Sequence, residues 1–350
     1  MKTAIDLFCG CGAVTSGLKS AGFRVLGAVD LDPIACATYR LNHPEVEVIE
    51  EDIRQIDPVR FRKFEPEGLD LLAVCAPCQP FSNRNRKQTE QDHRVHLVLE
   101  SLRFIEALRP TMVFFENVPG LGNKPVFQEL TTGLSKMGYY ANDPHRIDAV
   151  DLGVPQHRQR MILIGAKSEQ LLGDVVKIET LVRKTVSDAI GTLPVPPVGK
   201  PEDDGDSLHY ARRHSPLNIE RMRHIPKDGG SRDALPKRLQ LKCHKKLKKK
   251  KSSYPDSYGR LKWDMVAPTL TTGCTDITRG RYAHPEQDRA ITLREAARLQ
   301  TFSDDYVFTG NAGQIATQIG NAVPPEMMAG IARVLYSALS NNHTDARDHG

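Results

Sequence analysis

The sequence predicts an α/β protein, a doubly wound, Rossmann-like sheet with a smaller second domain. Three observations predict it. From Thr3 to Gly165, short β-branched apolar runs alternate with stretches of helical periodicity, the pattern of a parallel sheet covered on both faces. The first run, Thr3–Phe8, enters a Cys9-Gly-Cys-Gly12 turn and then a helical stretch, Val14–Ala21, as nucleotide-binding sheets open. Acids close the next two runs, Arg24–Asp30 and Val46–Asp52, at the edge where such sheets bind ligands.

Gly10 and Gly12 let the backbone approach a ligand closely, although Gly-x-Gly alone falls short of the full dinucleotide spacing. Asp30, about 20 residues past the turn, is placed to hydrogen-bond a ribose diol. Asp32 caps the next helix, with Pro33 at its first position. No Walker-type lysine loop is present, so a nucleoside cofactor without a triphosphate fits best. Leu69–Val74 is the fourth strand. Pro77 and Pro80 stop it and set Cys78 in a rigid loop at the ligand edge. A free cysteine is by default a small buried hydrophobe, but one fixed between prolines at that edge is placed to react.

Asn83–Gln91 is a polar loop, and Val95–Leu108 has helical spacing. Thr111–Phe115 is the fifth strand and delivers Glu116-Asn-Val-Pro-Gly120 to the same edge. Burial behind two phenylalanines would favour the protonated form of Glu116; a strand-end carboxylate paired with an arginine is the alternative. Tyr139–Val150 forms a further strand or hairpin arm. In Val154-Pro-Gln-His-Arg-Gln-Arg160, alternation puts Gln156, Arg158 and Arg160 on one face and His157 and Gln159 on the other. Two guanidiniums on one face call for something anionic or acceptor-rich between them. Met161–Gly165 continues as a strand.

Beyond Gly165 the composition shifts. Thr192–Gly205 is rich in proline, glycine and acids and reads as a linker. Ser207–Lys262 carries 17 Lys and Arg against 4 Asp and Glu, on a chain whose net charge is only +5. That density suits a polyanion, and the Lys245–Lys251 run is ordered mainly by such a partner. Thr292 with Glu295 is a capping box opening a helix to Gln300. Gln318–Pro325 is a sharp turn into the helix Glu326–Leu339, and Asn341–Gly350 is a disordered tail. No apolar run approaches a membrane span, and the N-terminus turns acidic too soon for a signal peptide. Seven irregularly spaced cysteines argue against a disulfide framework and for a reducing cytosol.

With the usual strand order, the first, fourth and fifth strands are neighbours, so Cys78, Glu116 and the glycine turn share one crevice. From these motifs the chain resembles the cytosine-C5 DNA methyltransferases of the bacterial type. In the family's order it carries Asp6-Leu-Phe-Cys-Gly-Cys-Gly12, Pro77-Cys-Gln79, Glu116-Asn-Val118, Gln156-x-Arg-x-Arg160, Arg294–Gln300 and Gly320-Asn-Ala-Val323. The match runs from Thr3 to Leu339 except for the basic middle.

The resemblance implies S-adenosylmethionine as cofactor and methyl transfer to C5 of a flipped cytosine in a short duplex sequence. It gives Cys78 the nucleophile's role at C6 and Glu116 the contacts to N3 and the exocyclic amine, with Arg158 and Arg160 steadying base and adduct. Cofactor contacts fall on Phe8, Gly10, Gly12, Asp30, Leu31, Asp52, Ile53, Pro77, Asn321 and Ala322. Substrate contacts fall on Gln79, Asn117, Gln156 and Thr269. Residues 1–182 would then be the catalytic domain, 183–316 the target-recognition domain, and 317–340 a helix returning to the first. The implied protein is a metal-free monomer of the cytoplasm that binds duplex DNA and acts apart from any cognate restriction endonuclease.

Cys75-x-x-Cys78 and Cys9-x-Cys11 depart from the family minimum. They leave open a metal site or an inactivating Cys75–Cys78 disulfide on oxidation. A tRNA cytosine methyltransferase and a non-catalytic DNA-binding relative are the rival readings. Replacing the lysines of Lys245–Lys251 with glutamine is expected to flatten the fall of DNA affinity with salt. An unchanged slope of log Kd on log salt would show that the run meets no phosphate.

Overall fold

The computed structural model describes residues 1–64, 68–77, 93–173, 178–200, 206–241 and 256–345. Cys78, Gln79, the Asn83–Gln91 loop and the Lys245–Lys251 run lie outside them. The strands are β1 (Thr3–Leu7), β2 (Arg24–Asp30), β3 (Glu47–Glu50), β4 (Leu71–Val74), β5 (Met112–Asn117), β6 (Tyr140–Ala141), β7 (His145–Asp148) and β8 (Gln159–Ala166). They form one sheet in the order β3-β2-β1-β4-β5-β8-β6, with β7 also on β8. The first five are parallel, and β1, β4 and β5 are adjacent as expected. β8 runs antiparallel to β5, pairing Asn117 with Met161, so it starts at the edge where β5 ends. The expected hairpin arm at Tyr139–Val150 is the two short strands β6 and β7.

Alternation along the central strands sorts the core into two layers. Ala4, Leu71, Ala73, Met112 and Phe114 belong to one cluster, with Val14 and Leu18 of α1 (Ala13–Ser20) and Met327, Met328 and Ile331 of the C-terminal helix. Ile5, Leu7, Leu72, Val74, Val113 and Phe115 belong to the other, with α3 (Ser101–Leu108) and α4 (Pro125–Lys136). Between β2 and β3, α2 (Pro33–Asn42) starts as expected, the Asp32 side chain accepting from the amides of Ile34 and Ala35. Gly17 is where α1 meets the C-terminal helix, because a Cβ there would lie 2.5 Å from Met328 Cβ.

Three expectations change. Gln318–Asn321, expected in a sharp turn, instead closes the α-helix Ala312–Asn321, and only residues 322–324 turn into the C-terminal helix. Val95–Leu108 is not one α-helix: His93–Glu100 is 3-10 and only Ser101–Leu108 is α, with the Ser101 hydroxyl donating to the Val98 carbonyl at 2.6 Å. Apolar spacing fixed the buried face there but not the pitch. The C-terminal helix spans Pro325–Asp345 and so runs into the expected tail. Its propagation beyond Leu339 continues a helix already nucleated and packed upstream.

The rest of the chain builds two further cores. Val186, Ile190, Leu293, Ala297, Phe302, Tyr306 and Ile319 cluster with Cys11 and Ala13 of the glycine turn. Met222, Ile225, Leu239, Tyr258, Ile277 and Ala283 form a small separate core inside the basic segment. The Thr292–Glu295 capping box is present. Glu295 also takes two bonds from Arg289, at 2.6 and 2.7 Å.

Arg260 is fully buried beside the small core. All five guanidinium donors are used: on the carbonyls of Met222, Ile225, His284 and Gln287, and on the Asp288 carboxylate. Replacing it with Met is expected to cost about 3–5 kcal/mol, since one partner of a buried ionic network is lost and four carbonyls are stranded. Urea unfolding measures this. Lys, with three donors and no fork, is expected to recover little.

Candidate active site

The ends of β1, β2, β4 and β5 surround a cavity of about 370 Å³. Phe8 opens it in a left-handed conformation, φ 62°, that a bulky residue rarely adopts. Gly10 follows at φ 53°, its amide donating to Asp30 Oδ2 at 2.8 Å. A Cβ on Gly10 would meet no protein atom within 4 Å, so its bareness leaves room for a ligand. Asp30 Oδ1 accepts from the Asp32 amide at 2.9 Å, so both Asp30 oxygens already hold backbone. Burial raises the Asp30 carboxyl above its ordinary range, while the amides of Asp32 and Gly10 pull the other way.

Leu31, Asp52, Ile53, Pro77, Asn321 and Ala322 line the same cavity. Leu31 is 62% exposed, a large apolar face at the rim. Asp52 is clasped by Arg54, whose Nε stands 3.0 and 3.1 Å from its two oxygens. Gly12, expected beside the cofactor, does not line the cavity. It is the left-handed N-cap of α1, and a Cβ there would lie 2.7 Å from the His43 ring. Packing requires this glycine, not ligand approach.

At the other end of the cavity stand Glu116 and Arg160, both buried. Arg160 Nε lies 2.6 Å from Glu116 Oε1. The alternative of a strand-end carboxylate paired with an arginine is therefore the one found. The approach is ionic only: Oε1 has no hydrogen-bond partner of acceptable angle among the described residues.

Alternation along the β8 entry holds. Gln156, Arg158 and Arg160 are buried while His157 and Gln159 are exposed. Gln156 and Arg158, however, do not reach the cavity. The Gln156 amide donates to the Gln300 side chain at 2.9 Å and its oxygen accepts from the Leu270 amide at 2.8 Å. Arg158 donates to the carbonyls of Leu270, Gly320 and Asn321. These carbonyls are the acceptors that the two-guanidinium face required. Both side chains are spent on the frame around the cavity and are absent from its lining. Asn117 is buried too, holding the Ala76 carbonyl at 3.0 Å. Thr269 is half-buried, and its hydroxyl donates to the His157 carbonyl at 2.7 Å.

Burial pushes the thiols of Cys9 and Cys75 far up and that of Cys11 up to about 12, so all three are held as thiols at the ligand edge. Among the described residues no group of three or more His, Cys, Asp and Glu could hold a metal ion. No described helix is long and apolar enough to cross a membrane. Sequence reasoning passed over Arg54, Thr317 and Gln318 as lining residues. No motif letter marks Arg54; the other two flank Gly-Asn-Ala-Val and were within reach.

Comparison with known proteins places this geometry in a family. The profile of the C-5 cytosine-specific DNA methylases matches residues 2–337. Type II methylase M.HgiDII of Herpetosiphon aurantiacus is 37% identical over 358 aligned residues, covering 98% of this chain and 97% of that protein. Type II methyltransferase M.PspPI of Psychrobacter sp. strain TA137 is 34% identical, covering 96% and 79%. A solved E. coli chain described as a prophage-encoded DNA modification methyltransferase aligns with a TM-score of 0.75 at 25% identity, covering 97% and 100%. The S. pombe Dnmt2 methyltransferase shares the fold, with a TM-score of 0.65 at 17% identity, covering 97% and 100%.

Behind the cavity, Asp6 is fully buried and accepts from the Thr15 hydroxyl at 2.9 Å, with its other oxygen unpartnered among the described residues. Burial raises its carboxyl from 3.8 to about 7. The unfolded chain ionises this group near pH 4 while the folded chain keeps the proton. Its contribution is therefore complete below about pH 4 and lost as pH climbs through about 7. Asp6→Asn is expected to remove a loss on the order of 4 kcal/mol across that window. Urea unfolding of both proteins from about pH 4 to 8 checks it; parallel pH profiles would contradict the assignment.

Proposed function

The chain belongs to the C-5 cytosine-specific DNA methylases and is a DNA (cytosine-5-)-methyltransferase. From that premise we propose that it methylates C5 of a flipped cytosine in a short duplex sequence, with S-adenosylmethionine as methyl donor and Cys78 bonded transiently to C6. One observation carries the reading. A single cavity joins the Asp30 and Asp52 carboxylates to the Glu116–Arg160 pair, and Pro77, the residue before Cys78, stands in its wall.

The donor set suits the cofactor. Two carboxylates meet hydroxyls and an amine, Leu31, Ile53 and Phe8 supply apolar faces, and the open Gly10 backbone admits close approach. The size is that of a small-molecule site. Bound there, S-adenosylmethionine supplies a methyl group on a sulfonium, electrophilic enough for an enamine-like carbon and not for cytosine C5 unaided.

The chain's own residues make C5 nucleophilic. The Cys78 thiolate adds to C6 while Glu116, having taken up a proton from solvent, passes it to N3 and accepts from the exocyclic amine. Arg160 steadies the Glu116 carboxylate this leaves. Once C5 carries the methyl group, its proton departs to a base, the C6–sulfur bond breaks, and Glu116 recovers the N3 proton. A stacked base cannot reach these groups, so it must leave the helix, as methyltransferases generally require. Residues 183–316 would hold the duplex through phosphates and read bases in the major groove. The protein would act as a monomer and as the modification partner of a separate Type II endonuclease.

Duplex DNA carrying 5-fluorocytosine tests the reaction, because fluorine at C5 cannot leave as a proton does. A denaturation-resistant adduct is expected with S-adenosylmethionine, and none with Cys78→Ala. Glu116→Gln is expected to lower kcat by about 10²–10⁴-fold. Labelled-methyl transfer to tRNA but not to duplex DNA would overturn the substrate.

A further inference from the structure

Resting on the cofactor reading above, we propose that His43 and Tyr306 are positioning residues. They clamp the back of the Cys9–Gly12 turn, so that its front keeps the shape the nucleoside cofactor needs. The two jaws come from distant parts of the chain. His43 closes α2, and its Nε2 lies 3.1 Å from the Gly12 carbonyl and 3.3 Å from the Ser16 hydroxyl. Lys19 Nζ stands 3.4 Å from His43 Nδ1. An ammonium only donates, so Nδ1 is the acceptor and Nε2 carries the proton toward Gly12. Burial, then the Lys19 charge, holds His43 down to about 4, which keeps the ring neutral in this tautomer.

Tyr306 follows the helix Leu293–Leu299 and donates to the Cys11 carbonyl at 2.5 Å. Burial pushes its hydroxyl far up, so it stays a donor. The two rings meet edge to face, with centroids 6.2 Å apart. They leave no gap: a Cβ on Gly12 would lie 2.7 Å from the His43 ring and 3.0 Å from the Tyr306 hydroxyl. Neither residue lines the cavity, whereas Gly10, Cys11 and Ala13 do. The Tyr306 jaw is itself braced on α2. Asn42 exchanges two hydrogen bonds with Val307, at 2.8 and 2.9 Å, and Thr38 Oγ1 lies 2.9 Å from both the amide and the hydroxyl of Thr309. The Gly12 carbonyl is thus held from the end of α2, and the Cys11 carbonyl from nearly 300 residues away.

Tyr306→Phe keeps the ring and removes one bond to a buried carbonyl. Its Kd for S-adenosylmethionine, measured by calorimetry without DNA, is expected to rise roughly tenfold, with KM for the cofactor following. kcat and KM for duplex DNA are expected to stay near wild type, while the melting temperature falls by only a few degrees, the cost of one stranded carbonyl. His43→Gln, which retains an N–H donor, is expected to weaken cofactor binding less than His43→Ala. Wild-type cofactor affinity in Tyr306→Phe overturns the clamp, as does a uniform fall in all constants together with melting temperature. A wild-type protein that fails to bind S-adenosylmethionine overturns the functional reading instead, and the clamp with it.

Discussion

The ligand edge depends on two buried polar side chains that do not line its cavity. Gln156 and Arg158 join three stretches far apart in sequence: the entry to β8, the Ala267–Thr272 segment and the end of the helix Ala312–Asn321. The joint is tight. A Cβ on Gly320 would lie 2.3 Å from the Thr271 carbonyl carbon, so the two backbones cross in direct contact. Buried polar groups of this kind are costly unless every valence is met. Here the carbonyls of Leu299, Leu270, Gly320 and Asn321 and the Gln300 side chain accept from them, and the Leu270 amide donates to Gln156, which ties the three stretches together. Asn321 and Ala322 reach the cavity wall only because that crossing is held.

The same logic divides the charge of the basic segment. A surface guanidinium attracts phosphate, while a buried one must find acceptors at home. Arg221 is buried and donates to the Leu239 carbonyl, Asn218 and Tyr258. Arg260 is enclosed completely, and Arg281 reaches the carbonyls of Gly229, Gly230 and Arg260. These three arginines hold a core of few apolar residues together. Arg212, Arg213, Arg223, Lys227, Lys237, Arg238 and Lys262 are exposed, and several of them face nearby carboxylates. The excess of positive charge available to a polyanion is therefore smaller than the composition suggests.

Legibility followed the range of the physics involved. Local rules worked: the Asp32 cap, the Thr292–Glu295 box, the glycine turn and the alternation at Gln156–Arg160 all depend on neighbours in sequence. So did the strand order, because parallel sheets of this kind admit few topologies. Long-range roles were not readable. Gly12 and Gly10 look alike as letters, yet one accommodates His43 and the other faces a cavity. Gln156 and Arg158 carry motif letters that suggest contact with substrate, and only the distances to Leu270, Gly320 and Gln300 assign them to the frame. Arg260 has no local signature at all, since its five acceptors are scattered between Met222 and Asp288.

Glu116 shows why burial alone is a poor guide to an acid's partner. The two phenylalanines before it are buried, as the sequence suggests. The strand beside β5 begins with Gln159 and Arg160, and antiparallel pairing brings that end of β8, with the Arg160 guanidinium, to the carboxylate. Oε1 still lacks a well-directed donor among the described residues. Glu116 and Arg160 thus face the cavity as a carboxyl–guanidinium pair, in the same wall system as the Asp30 and Asp52 acids that β2 and the segment after β3 deliver.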